Sequence, residues 1–197
     1  MTELVGWIQE TVADMGTDGK LVLDADGCVF HVNLTEKLLI LLLAKLSNLV
    51  PEGGIWMNTQ RPEWNDANNA LVGRGMSVVT LCYLRRYIAF CRDLIAGAGL
   101  PEIALTQEVA ALFDNLRIVL EEHQALLRTP LGDQQRRSIM DGLGQAGSDY
   151  RWSFYRSGYS GEFASLGTDE LLAFLDLAQQ YVEHTIRANE RPDRLYH

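Results

Sequence analysis

The sequence of 197 residues predicts an all-α fold of antiparallel helical hairpins, organised as a single helical domain over residues 1–197. Apolar residues recur at helical spacing in several long segments, most clearly in residues 168–189. Glycine and proline separate these segments, as is typical of helix ends. Strand-like residues are confined to 20–32, where Asp26-Gly27 suits the turn of one small β-hairpin and an extended loop is the alternative.

Apolar spacing, a capping motif and a proline predict where the first two helices begin and end. Apolar spacing predicts a short helix over residues 4–16. Asn33 and Glu36 have the spacing of a capping box, so they open a second helix that ends before Pro51. Seven consecutive apolar residues, 38–44, leave this helix almost no polar face, which predicts that it is buried on most sides.

The following helices differ in how much of their surface is apolar. The segment 76–96 carries three arginines within one arc, whereas Val79 and Leu94 fall outside that arc, so we expect an interior helix with one solvated strip. The segment 106–127 has a single apolar stripe and is predicted to lie on the outside.

The segment after residue 133 is interrupted by three glycines, Gly142, Gly144 and Gly147. Because glycine in a helix interior is unfavourable, we predict a helix only as far as about Met140. The aromatic and glycine-rich segment 150–167 is then expected to be a structured loop.

Composition and charge exclude several classes of protein. A formal net charge of -9 and the absence of a Lys/Arg run exclude binding to a nucleic-acid backbone. The longest apolar run has seven residues, far below the roughly 20 that cross a bilayer, so no membrane association is expected. No signal peptide is visible, and three cysteines are an odd number. These features predict a cytoplasmic chain with free thiols.

The polar segment 60–73 carries the candidate chemistry. Acid catalysis at a glycosidic bond needs a carboxylic acid beside an apolar wall, which Asp66 and the indole of Trp64 could provide. Side-chain amides in the same segment suit sugar hydroxyl groups. The alternative is a loop whose side chains satisfy its own backbone and cap the next helix. The candidate substrate-binding residues are Trp64, Glu63, Asn65, Asn69 and Arg61.

The motif Trp64-Asn65-Asp66, followed by residues 67–73 and a long apolar helix, resembles the Asp-Trp-Asn-Asp-Gly loop of six-hairpin (α/α)6-barrel carbohydrate enzymes, above all the cellobiose phosphorylase group. The resemblance implies that Asp66 is the catalytic proton donor and Trp64 the sugar platform. It spans roughly residues 60–95, and the sequence departs from the motif at Glu63, usually Asp, and at Ala67, usually Gly. Loop geometry and substrate choice therefore stay open.

A closed barrel of six hairpins has about twelve helices, whereas this sequence predicts about six. Half a barrel would expose a large apolar face. We therefore expect part of an (α/α)6 barrel, either as a fragment of a larger catalytic domain or as a homo-oligomer that covers this face.

Glu162, next to Gly161, is the best candidate for a second catalytic carboxylate, because glycine lets the backbone approach a ligand. A hydrolase needs such a base, whereas a phosphorylase needs contacts to inorganic phosphate as co-substrate, for which Arg151 and Arg156 are candidates. The alternative for all three is a structural aromatic loop. No other cofactor and no metal are expected, since the histidines are scattered and His123 lies on an apolar stripe.

Taken together, these residues predict a carbohydrate-processing domain that cleaves a glycosidic bond by general-acid catalysis, through hydrolysis or phosphorolysis. The expected partner is an oligosaccharide or glycoside. A noncatalytic helical module, structural or interacting, is the alternative.

Overall fold

The computed structural model describes residues 2–24, 26–58 and 70–191 of the chain. Within these ranges the protein is mainly helical, which confirms that part of the predicted fold class. Two 3-10 helices, Gly16–Lys20 and Gln124–Arg128, follow the first and fourth α-helices. The α-helices are α1 (Thr2–Met15), α2 (Leu34–Leu46), α3 (Val78–Ala98), α4 (Gln107–His123), α5 (Asp133–Ser157) and α6 (Thr168–Ala188).

Short strands that the sequence analysis did not predict join the helices. They are β1 (Leu49–Val50), β2 (Gly54–Trp56), β3 (Met76–Ser77), β4 (Glu102–Thr106) and β5 (Phe163–Gly167). The first three form an antiparallel sheet in chain order, and β4 pairs antiparallel with β5. Strands of two to five residues are too short to show a clear alternation of apolar and polar residues. The predicted hairpin at 20–32 is reduced to one bridge between Leu23 and Val29.

The hydrophobic core lies between the four longest helices and α2. Helix α4 packs against α5, the next helix along the chain, as expected of a helical hairpin. Helix α3 packs against α6, although two helices separate them in sequence. The rings of Phe113 and Phe174 lie 4.7 Å apart in this core, and the buried Tyr181 hydroxyl donates to the carbonyl of Leu120 at 2.8 Å. None of the described helices combines the length and hydropathy needed to cross a bilayer.

The capping box predicted at the start of α2 forms only in part. The side chain of Asn33 accepts a hydrogen bond from the Glu36 amide at 2.9 Å, as predicted. The Glu36 carboxylate does not return this bond. It is buried and accepts from both the amide and the hydroxyl of Thr106, each at 2.7 Å. Glu36 thus fixes α2 to the start of α4 instead of closing its own helix.

Two helices expose more apolar surface than the sequence predicted. Leu41, inside the apolar run of α2, is 61% exposed, so this helix is not buried on most sides. On α3 the apolar residues lie outside the arginine arc, as predicted, but the helix is exposed over more than this one strip, since an exposed apolar stripe runs beside it. The residues of this α3 stripe are Val79, Tyr83, Phe90 and Leu94. They are spaced four, seven and four residues apart, as on one helical face.

Helix α5 continues to Ser157, through all three of its central glycines. The prediction that it ends near Met140 and that a loop begins at 150 was therefore wrong. A Cβ atom at Gly147 would lie 2.6 Å from the side chain of Ser47, and one at Gly142 would lie 3.0 Å from Val119. These glycines let α5 approach its neighbours closely instead of ending the helix.

The turn between β1 and β2 contains a strained residue. Pro51 and Glu52 occupy its centre, and the amide of Gly53 donates to the carbonyl of Val50 at 2.9 Å. Glu52 has a φ of 61° and is the one non-glycine residue with positive φ among those described. This conformation normally favours glycine, because a Cβ atom clashes with the backbone.

Only 9% of the Glu52 side chain is exposed, and its carboxylate joins three parts of the chain. Oε1 accepts from the amide of Leu131 at 2.8 Å and from Nε2 of His184 at 3.0 Å. Oε2 accepts from Arg136 at 3.1 Å. The turn is thereby fixed to the start of α5 and to α6. These bonds stabilise a backbone conformation that glutamate alone would avoid.

The glycines of α5 give a prediction with an internal control. Gly147→Ala should lower the free energy of unfolding by about 1–3 kcal/mol, because its methyl group meets the Ser47 side chain. Gly144→Ala should raise it by about 1 kcal/mol, because a Cβ atom there meets nothing within 4 Å and alanine favours the helix. Urea unfolding measures both variants. Equal effects of the two substitutions would contradict the close approach at Gly147.

A second prediction concerns the β1–β2 turn. Glu52→Ala should lower the free energy of unfolding by about 2–4 kcal/mol, because it removes the acceptor of three hydrogen bonds. Glu52→Gly loses the same bonds but relieves the positive φ, so it should be about 1 kcal/mol more stable than the alanine variant. Chemical denaturation of both variants tests this order, and the reverse order would show that the turn is unstrained.

Candidate functional site

The predicted loop residues lie outside the described part of the chain. They are Arg61, Glu63, Trp64, Asn65, Asp66 and Asn69. The structure describes the residues directly before and after this segment, 57–58 and 70–75.

The two flanks of the 59–69 segment are held together. The amide of Gly73 donates to the carbonyl of Met57 at 2.7 Å, and the amide of Met57 donates to the carbonyl of Gly75 at 3.2 Å. Beyond these bonds, Ile55 of β2 pairs with Ser77 of β3. The segment is therefore an insertion between two paired strands, and α3 follows β3 directly. The predicted long helix behind the loop is confirmed.

A groove opens at the base of this insertion, with a volume of about 350 Å³. We call it the loop-base groove. Helix α2 and the residues after it form one wall, β2 and the residues after it form the next, and α4 and α5 complete it. The lining residues are Leu41, Ala44, Lys45, Ser47, Asn48, Trp56, Met57, Asn58, Leu112, Gly147, Tyr150 and Arg151.

The groove combines an aromatic ring with side-chain amides. Trp56 is 38% exposed, so its indole is open to a ligand. The Asn58 amide donates to the Asn48 side chain at 2.8 Å, and Asn48 in turn donates to the carbonyl of Ala44 at 2.8 Å. This chain of bonds fixes the direction of both amides. An apolar ring face beside oriented amides suits a polyhydroxylated ligand.

Sequence reasoning missed Asn48 and Trp56 and identified Arg151. Arg151 lines the groove, whereas Arg156 lies with its guanidinium 5.9 Å from the ring centre of Trp152, a residue that does not line the groove. The signal for the missed residues was their polar or aromatic character just before the loop. This signal could be recognised only with the β1–β2 hairpin, which brings Asn48 and Trp56 together and which the sequence did not predict.

Glu162 lies in the connection between α5 and β5, and its side chain is exposed. Its carbonyl accepts from the amide of Gln107 at 3.0 Å, and its amide donates to the Ser160 hydroxyl at 3.2 Å. The Ser160 amide donates to the Glu108 carboxylate at 2.7 Å, which anchors this connection on α4. Glu162 is not one of the residues that line the loop-base groove.

Tyr150 supplies a neutral hydroxyl at the wall of the groove. Its oxygen lies 2.7 Å from that of Tyr159, and the ring of Phe30 stacks on Tyr159 at 5.3 Å. Burial raises the pKa of Tyr150 well above its usual range, and the hydrogen bond to Tyr159 and the carboxylates of Glu36 and Glu108 raise it further. Burial also raises the pKa of Tyr159, although its hydrogen bond to Tyr150 acts in the opposite direction. Tyr150 can therefore donate or accept a hydrogen bond but does not act as an anionic base.

The described histidines occupy three different settings. His31 is exposed, and the ring of His123 lies 2.9 Å from the carbonyl of Val119 and 3.2 Å from the Ser138 hydroxyl. His184 contacts Glu52. Within residues 2–24, 26–58 and 70–191, no group of three or more His, Cys, Asp or Glu side chains could hold a metal ion.

A scan against protein-family models and a search of curated proteins both give no match for this sequence. The residues of the groove and the sequence of segment 59–69 therefore carry the assignment of function.

The raised pKa of Tyr150 predicts a pH effect on stability. An unfolded tyrosine ionises near pH 10, whereas burial keeps Tyr150 protonated in the folded protein. The unfolded state then loses a proton that the folded state retains, so the free energy of unfolding falls as pH rises above about 10. Tyr150→Phe removes this ionisable group, so the free energy of unfolding should decrease less steeply with pH.

Urea unfolding between about pH 8 and about pH 11 measures this slope. Tyr155→Phe is the matched control, because Tyr155 is an exposed residue of the same helix. An identical slope in wild type and in Tyr150→Phe would show that Tyr150 does not contribute.

Proposed function

We propose that this protein processes carbohydrate by cleaving a glycosidic bond, with an oligosaccharide or glycoside bound in the loop-base groove. The observation that carries the proposal is that segment 59–69 is inserted between the paired strands β2 and β3, and that Met57 and Asn58, directly before this segment, line the groove. The segment contains a tryptophan, a run of amides and two carboxylates. The groove contributes a second tryptophan, two further amides and an arginine.

Asp66 is the proposed general acid. It would donate its proton to the glycosidic oxygen as the bond to the leaving sugar breaks. An acid of this kind needs a raised pKa, which an apolar neighbour such as the Trp64 indole can provide by excluding water. Trp56, at the start of the insertion, supplies a ring on which a sugar can stack, and Asn58 supplies an amide for its hydroxyl groups.

Two nucleophiles are compatible with this acid. In hydrolysis a second carboxylate activates water, and Glu162 is the proposed base. In phosphorolysis inorganic phosphate attacks instead, and Arg151 in the groove wall is the proposed phosphate contact. Arg151 is already placed in the groove, whereas Glu162 is not among its lining residues, so the geometry favours phosphate as the attacking group.

We also propose that the fold is part of an (α/α)6 barrel in a cytoplasmic protein that binds neither nucleic acid nor membrane. The exposed α3 stripe and the exposed Leu34 and Leu41 of α2 support this proposal. Exposed apolar surface of this extent is normally covered by further structure or by a second subunit.

The acid role gives a direct prediction. Asp66→Asn should lower turnover of the glycoside by about two to four orders of magnitude, because the amide cannot donate the proton that the leaving oxygen needs. Affinity for the sugar should change little, since asparagine keeps the size and polarity of aspartate. Steady-state kinetics and isothermal titration calorimetry measure the two quantities separately. Unchanged turnover would remove Asp66 from the mechanism.

Two tryptophan variants provide the control for the groove. Trp56→Ala should weaken binding of the same oligosaccharide, because it removes a stacking surface from the groove. Trp152→Ala removes an exposed indole that does not line the groove and should leave binding unchanged. If both variants weaken binding equally, the loop-base groove is not the sugar site.

A noncatalytic helical module is the second candidate, and the exposed α3 stripe favours it because such a surface is suited to packing against a partner. This alternative predicts that neither oligosaccharides nor inorganic phosphate raise the melting temperature. A rise that depends on Trp56 would exclude it.

A further inference from the structure

A second pocket lies on the surface between the 3-10 helix Gln124–Arg128 and α6, with a volume of about 440 Å³. None of its residues lines the loop-base groove. Most of its side chains are polar or charged, in contrast to an ordinary gap between packed helices. The polar lining residues are Gln124, Arg128, Gln180, Glu183, His184 and Arg187.

Two guanidinium groups reach this pocket from different elements. Arg187 lies on α6 and pairs with Glu183 at 3.3 Å, with 76% of the arginine side chain exposed. An exposed pair of this kind contributes little, so Arg187 can turn to another anion at small cost. Arg128, at the end of the 3-10 helix, forms no ion pair with any residue that the structure describes. Its donors are therefore available to a ligand.

His184 forms part of the pocket wall and is held from behind. Nε2 lies 3.0 Å from the Glu52 carboxylate, whose other oxygen accepts from Arg136. Because an ionised carboxylate only accepts hydrogen bonds, Nε2 carries the proton of this bond. The orientation of the ring is thereby fixed by the strained β1–β2 turn. A ring fixed in this way is preorganised for a ligand.

Neutral donors complete the lining. The Gln124 amide donates to the Gln180 side chain at 3.4 Å, which is a long and weak bond. Both amides can therefore re-orient toward a ligand at little cost. The two arginines outnumber the one glutamate of the lining, so the pocket is positive within a chain of net charge -9. This local excess favours an anion.

We propose that this pocket binds the phosphate group of a small, polar phosphomonoester, with Arg128 and Arg187 as its charged donors. Two guanidinium groups from separate elements supply more charged donors than a single carboxylate can accept, which suits a phosphate dianion with three free oxygens. A phosphate group alone would leave much of the 440 Å³ unfilled, and the amides and His184 provide contacts for the group that it carries.

Titration calorimetry of the wild-type protein with glycerol 3-phosphate and with inorganic phosphate tests this site. Both should bind saturably, and the ester should bind more tightly because it fills more of the pocket. Arg128→Ala should weaken binding by about ten- to a hundredfold, the loss expected for a charged hydrogen bond. Absence of saturable binding at millimolar concentrations overturns the proposal. Tighter binding of inorganic phosphate overturns the assignment to an ester.

Arg137→Ala is the matched control, because Arg137 is an exposed arginine of α5 paired with Asp141 at the same spacing as Arg187 with Glu183. It should leave binding unchanged, whereas Arg187→Ala should weaken it. All three arginines are exposed, so their removal should not disturb the fold, and circular dichroism checks this.

Two further measurements locate the ligand. In the NMR spectrum, glycerol 3-phosphate should shift the ring signals of His184 and not those of the exposed His31. Loss of binding in Arg151→Ala, with binding retained in Arg128→Ala, would place the phosphate in the loop-base groove and overturn this site. Because the two sites share no residue, failure here leaves the proposed carbohydrate function untouched.

Discussion

The hydrogen bonds of the Glu52 carboxylate hold the β1–β2 turn against α5 and α6. One acidic side chain, placed on a turn, accepts from the amide just before α5, from a side chain of α5 and from a histidine of α6. The carbonyl of the same residue accepts from Asn189 at the end of α6. Segments far apart in sequence therefore meet at Glu52. The hydrogen bonds to these segments stabilise its backbone in the left-handed region.

The same contact links the two candidate sites to one framework. The β1–β2 turn carries Glu52 at its tip, and β2 leads from this turn to Trp56 and the loop-base groove. On the other side of Glu52, His184 lines the pocket between the 3-10 helix Gln124–Arg128 and α6, the proposed phosphate pocket. A change in the turn would thus alter the position of the groove wall and the orientation of the histidine together. Stability and site geometry are coupled through this turn.

Much of the helical content could be predicted from the sequence, because apolar periodicity and end signals agree there. Helix α6 is an example, with its regular stripe and its start at Thr168. The errors arise where tertiary contacts override local preference. Gly147 is unfavourable in an isolated helix, yet it allows α5 to contact Ser47. Glu36 has the spacing of a cap, yet its carboxylate binds Thr106, which is seventy residues away. No local pattern carries such information.

The candidate site was predictable only in its most unusual segment. Residues 60–73 stand out because their polar side chains exceed what a connection needs. The loop-base groove is assembled from α2, β2 and α5, and its residues are individually ordinary. The proposed phosphate pocket likewise depends on Glu52, which orients His184. A glutamate at a turn position that suits glycine was the one feature of the sequence that pointed to it. Residue types reveal a site from the sequence when a single segment contains its residues. When several segments contribute residues, the site can be recognised only once the topology is known.

The closed base of the 59–69 insertion has an evolutionary consequence. Its ends are joined by the bonds between Met57, Gly73 and Gly75, so the core is complete below them. The insertion then affects the free energy of unfolding mainly through the entropy of loop closure. Doubling the length of the insertion lowers this free energy by only about 0.6 kcal/mol. Segments of different length and composition could be exchanged at this position without rebuilding the helices. New ligand preferences could therefore arise here by replacing one segment, while the helices of the core keep their packing.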